Sequence, residues 1–166
     1  MIPADSLEFH YFHYKLNNSI MKDCNWYYDY EFKKEIQDVF CVHIYTKEGF
    51  DFFLKNIKDF EHVKALSLFK IKIEDFNFLS KLPNTEYVSV GVLNKKNIKS
   101  FVDNLKQNQK LSLLKISKLN TKDFPKELNE LKHLKSLQIA NTKRLKRIVI
   151  DLDLKHLIFE SNKRLK

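Results

Sequence analysis

Glycine is almost missing from this sequence, with Gly49 and Gly91 the only two. Loops that cradle nucleotide phosphates need several glycines at close spacing, so neither a dinucleotide fingerprint nor a P-loop can be written here. Cysteine is as scarce: Cys24 and Cys41 form no CxxC pair, and neither a disulfide framework nor a closed zinc site is indicated. Two reduced thiols in a reducing compartment are expected. No apolar run approaches the ~20 residues of a membrane-spanning helix. Residues 1–9 carry Asp5 and Glu8 and lack both the basic start and the apolar stretch of a signal peptide. A soluble, cytoplasmic chain with no membrane partner is expected. Arginine is short too, since among 30 Lys and Arg residues only Arg144, Arg147 and Arg164 are Arg.

What is present is a folding composition, 43% hydrophobic and 31% charged over 166 residues, which suits one structural domain. The net charge of +9 attracts acidic partners. Part of it is compositional, because abundant Lys, Asn, Ile and Phe with little Ala, Gly and Pro is the usage of an AT-rich, bacterial-type genome. The lack of Arg argues against nucleic acid, where Arg makes the bidentate phosphate and base contacts. Binding of nucleic acid through a Lys-rich surface is the alternative reading.

The informative feature is a repeat. Apolar residues at positions one, four and six recur as Val39, Val42, Ile44; Val63, Leu66, Leu68; Leu111, Leu114, Ile116; Leu134, Leu137, Ile139; and Leu154, Leu157, Phe159, with Thr85, Val88, Val90 a weaker copy. Positions four and six fall on one face of a short strand, because side chains alternate with period two. Strands are therefore expected over 42–44, 66–68, 88–90, 114–116, 137–139 and 157–159. Between them the spacing turns helical, in Phe50, Phe53, Leu54, Ile57, then Phe76, Leu79, Leu82, then Ile98, Phe101, Val102, Leu105. In the fourth unit Thr121 is placed to cap a helix containing Pro125 and Leu128, and in the fifth Leu145 and Ile148 leave room for a single turn.

The segment LSLLKISKLNTKDFPKELNELKHLKSLQIANTKRLKRI resembles two consecutive units of the leucine-rich-repeat family, and the resemblance covers about residues 39–166. It implies an α/β fold, a right-handed solenoid of about six parallel strands with a concave sheet, and an extended binding surface. The chain departs from the family at position nine, usually Asn, where it has Lys47, Ile71, Leu93, Leu119 and Thr142; Asn162 matches, and Asn94, Asn120 and Asn141 lie one residue away.

Residues 1–38 stand outside the repeat. The aromatic runs LEFHYFHYKL and NWYYDYEF read as a hairpin-like unit capping the first repeat, with DYEFKKEIQDVF as a short helix the alternative. His10 and His13 fall on opposite faces of a strand and make no metal pair. Asp151 and Asp153 share a side of an extended IVIDLDL, which reads as a solvated edge before a carboxylate pair. Cys41 and His43 lack a third orienting group. No enzyme, cofactor or metal is expected.

The register sends the remaining strand positions outward, onto the concave face. Partner contacts are expected from Phe40, His43, Tyr45, Phe69 and Tyr87, an aromatic cluster, and from Lys115, Lys118, Lys135, Gln138 and Lys155 further along. That composition fits a protein with an acidic patch. At the last strand a partly open edge with Ile158 or Leu165 near it leads to the expectation of a monomer or weak homodimer.

Overall fold

Positions four and six of the six units become one continuous ladder. In the computed structural model, which describes residues 26–28, 40–69, 71–141 and 144–160, parallel strands run as β1 (Trp26–Tyr28), β2 (Cys41–Ile44), β3 (Ala65–Leu68), β4 (Tyr87–Asn94), β5 (Leu113–Asn120), β6 (Ser136–Ala140) and β7 (His156–Glu160). The sheet order equals the chain order. Its register aligns Val42, Leu66, Val88, Leu114, Leu137 and Leu157 in one row, and Ile44, Leu68, Val90, Ile116, Ile139 and Phe159 in the next. Each unit thus stacks its position four on position four of its neighbour. All but the last pair are buried, each contributing roughly 1.5–3 kcal/mol.

Position one forms a third buried row, Val63, Thr85, Leu111 and Leu134. Thr85 is tolerated there because its hydroxyl donates to the Val63 carbonyl at 3.3 Å, which meets the cost of burying a polar group. Helix α1 (Lys47–Lys55) starts at Thr46, whose Oγ1 accepts the Gly49 N–H at 3.0 Å. Helix α2 (Ile98–Leu105) buries Ile98, Phe101, Val102 and Leu105, the four residues its spacing selects. The β2–β3 connection continues after α1 in a 3-10 turn at Ile57–Phe60, and the β3–β4 and β5–β6 connections shorten to 3-10 turns at Asn77–Lys81 and Lys126–Glu130. Rings fill the space between the layers: Phe53 meets Phe60 at 4.8 Å and Phe76 meets Phe101 at 5.0 Å between centroids.

The fourth and fifth units depart from expectation. Thr121 caps no helix. Pro125 biases the residue before it toward extended backbone, so residues 122–124 stay open and pair with the next unit, where Phe124 N–H donates to the Arg147 carbonyl at 2.8 Å. The helical turn begins only at Lys126. Around Leu145, which is buried, no turn of helix forms among the described residues.

The turn asparagine is displaced rather than lost. Asn97, buried, donates to the carbonyls of Ile73 (3.0 Å) and Val92 (3.4 Å) and accepts the Asn94 N–H (2.8 Å), stitching one unit's turn to the next. Asn141 sits at φ 51°, in the left-handed region that Asn tolerates, and reaches the Ser117 carbonyl at 3.3 Å. At the other end, β1 pairs in parallel with β2, Trp26 opposite Cys41, and extends the sheet to seven strands. The first half of the expected hairpin, with His10 and His13, and the stretch 29–39 read alternatively as a helix lie outside the described residues, as does Leu165.

Candidate partner-binding surface on the lips of the sheet

The face opposite the core carries Cys41 and His43 on β2, Ala65 and Ser67 on β3, Tyr87 and Ser89 on β4, Leu113 and Lys115 on β5, and Ser136 and Gln138 on β6. This is the alternation expected, but the exposure is not. All ten are buried, with Tyr87 and Gln138 at 0%. His43, Tyr87, Lys115 and Gln138 are each engaged in further interactions. Burial pushes the Tyr87 phenol far above its ordinary value, offset in part by a hydrogen bond with Ser89. The expectation that these four point into solvent is therefore corrected. Cys41 is corrected too: it is disulfide-bonded, not a reduced thiol.

Tyr45 and Phe69, half-buried, lie one step further along the strands. His43 stacks on Tyr45 at 4.0 Å, and Tyr45 meets Phe69 edge-on at 5.9 Å. Of the expected aromatic positions, His43, Tyr45 and Phe69 thus meet one another, while Phe40 meets His62 edge-on at 5.8 Å.

What stays accessible lies on the two lips. Immediately before the strands, the backbone continues the parallel ladder by one step. Lys64 N–H donates to the Phe40 carbonyl (2.8 Å), Glu86 to Lys64 (2.7 Å), Ser112 to Glu86 (2.9 Å), Lys135 to Ser112 (2.9 Å) and Lys155 to Lys135 (2.8 Å). This row, Phe40, Lys64, Glu86, Ser112, Lys135, Lys155, is fixed by main-chain bonds and not by its side chains. Phe40 is 43% exposed, with the Lys64 ammonium 5.8 Å from its ring centre. Lys135 pairs with Asp153 at 3.0 Å, and this ammonium holds the Asp153 carboxyl below its usual range. Lys132 pairs likewise with Asp151. The two aspartates are therefore each matched to a lysine of the preceding unit. Lys118 stands apart from Lys135 and Lys155, exposed on the opposite lip beside Val92. Lys64 joins Phe40, Lys135 and Lys155 on this row through its main-chain bonds to Phe40 and Glu86.

Strand order and register define a leucine-rich-repeat-type solenoid. No protein-family model matches the chain, and no curated protein matches it. Among solved structures it is similar to an internalin (inlF) from Listeria monocytogenes str. 4b F2365, with a TM-score of 0.41 and 17% identity, over 76% of this chain and 41% of that one. The chain spans less than half of that protein, and a likeness of this size carries no functional argument.

Proposed function

We propose that the chain is a non-enzymatic protein-binding module that takes a partner with an acidic patch along the lips of its sheet. The observation that carries the reading is the ladder row. Its backbone spacing sets Phe40, Lys64, Lys135 and Lys155 on a rigid scaffold, where an exposed ring supplies an anchor and ammonium groups steer the encounter. Lys118 adds charge from the other lip. An inhibitor of immunity type or an adaptor both fit such a surface, as does a monomeric or weakly dimeric state. Lysine, compact and strongly hydrated, favours steering over the bidentate grip that nucleic acid recognition draws from Arg.

The test is affinity capture from cells that express the protein, with the native chain beside a Lys64→Glu, Lys118→Glu, Lys155→Glu variant. All three residues are exposed, so the fold should stay intact by circular dichroism. The expected result is an acidic protein, bound less at higher salt and lost with the variant. Capture of nuclease-sensitive material in its place would replace this reading with the nucleic-acid one.

A further inference from the structure

A second feature lies past the carboxyl end of β3 and along the carboxyl-terminal parts of β4 and β5, where a cleft of about 790 Å³ opens. Its apolar part is built from Ile71, Ile73 and Val92, the last 43% exposed. Gly91 explains the hollow: its φ is not positive, so its value here is the missing side chain, which leaves the wall recessed within β4. The rim holds Lys72, Lys95 and Lys96, all exposed, against one carboxylate, Glu74. Glu74 pairs with Lys72 at 2.9 Å in full exposure, and an exposed pair of this kind contributes little and re-partners readily. Glu74 also feels Lys96 through space, though among the described residues neither Lys95 nor Lys96 has an ion pair within contact distance. Asn94 and Asn120 add amides to the lining, and the first turn of α2 begins at the cleft, directing its positive end there. Lys118 flanks it, in register with Val92.

We propose that this cleft seats an acidic peptide segment of the partner, with an apolar side chain against Val92 and Ile71 and carboxylates on Lys72, Lys95 and Lys96. The proposal rests on the protein-binding reading and gives it a location. The volume falls within the 300–1,000 Å³ typical of ligand sites and holds a few residues of extended chain. Apolar floor and basic rim side by side select an alternation of apolar and acidic residues. A polyphosphate backbone finds no use for the floor.

The probe is a short fluorescein-labelled peptide of alternating glutamate and leucine, read by anisotropy at low and physiological salt. Binding is expected, weakening with salt. Lys95→Glu with Lys96→Glu should weaken it by about tenfold or more. Gly91→Val fills the hollow without changing charge and should weaken it comparably. Lys110→Glu with Lys146→Glu, the same charge change elsewhere, should leave it within about twofold. The proposal is overturned if the distant reversal costs as much as the local one, if Gly91→Val has no effect, or if a glutamine and leucine peptide binds equally well. Single-stranded DNA displacing the probe, with the same variant dependence, would also overturn it. If the captured native partner is lost with the lip variant yet withstands both cleft variants, the cleft assignment falls while the protein-binding reading stands.

Discussion

Leu137 and Leu157 occupy the same position in consecutive units and face each other in register across β6 and β7, yet one is 1% exposed and the other 44%. Truncating each to alanine removes the same atoms, so the difference between the two reads the stacking alone. At Leu137 the transfer loss is about 2.4 kcal/mol, from roughly three methylene-sized groups at about 0.8 kcal/mol each. A residual cavity of up to about 80 Å³, at about 24 cal/mol per Å³, adds up to about 2 kcal/mol. A total of about 2.5–4.5 kcal/mol follows. At Leu157 only about half of the transfer term applies and the site opens to water instead of forming a void, so about 1 kcal/mol is expected. Urea melts followed by far-ultraviolet circular dichroism measure both, provided that the slopes agree with the native chain. Equal losses at the two positions would refute the reasoning, because they would mean that the last repeat is as well covered as its neighbour.

Four further outcomes are expected. Asn97→Ala leaves the Ile73 carbonyl and the Asn94 N–H without their buried partner and should cost about 1–3 kcal/mol in the same melts; a change under about 0.5 kcal/mol would show that the turns hold without it. The ammonium groups of Lys106 and Lys99 hold the Asp103 carboxyl at about 2, against an ordinary 3.8; its contribution is complete above 3.8 and lost as pH falls through about 2, so a carboxyl NMR titration should find a midpoint near 2, moved upward by Lys106→Ala. Alkylation of the denatured native protein should modify Cys41 only after reduction; labelling without reductant would contradict the disulfide. Strand β7 ends the described sheet, and a weak dimer joined there should dissociate on Ile158→Asp in light scattering across a concentration series; a dimer unchanged by it would place the interface elsewhere.

The core was legible because period two leaves a trace in every unit: the rows through Val42 and Ile44 are where the alternation puts them. Helix α2 was legible for the same reason at helical spacing. The failure at Thr121 has a local cause, since the capping signal competes with Pro125 four residues later and the proline wins. The failure on the concave face is of another kind. Alternation tells which side of a strand a residue faces; it is silent on what shields it there, so Tyr87 and Gln138 were placed on the right face with the wrong exposure. Asn97 escaped notice because a fixed nine-residue register looks for the turn asparagine too early, while the two long strands β4 and β5 carry the ladder on to Asn94 and Asn120 before the chain turns.

Those long strands also account for the position of the candidate surfaces. Where β2 and β3 end at Ile44 and Leu68, β4 and β5 run on to Asn94 and Asn120, so the carboxyl lip is uneven, and the cleft opens at the step between short and long strands. The amino lip has no such step, because the ladder adds one bond per unit from Phe40 to Lys155. A stepped lip presents a hollow that can discriminate shape, and an even one a row of charge that can guide but selects weakly. Since exposed lysines lose most of their mutual influence beyond a Debye length of about 8 Å at physiological salt, the two lips act separately. Reversing charge on the amino lip should then slow association, and filling the carboxyl cleft should hasten dissociation, a division that stopped-flow and off-rate measurements on the same partner can separate.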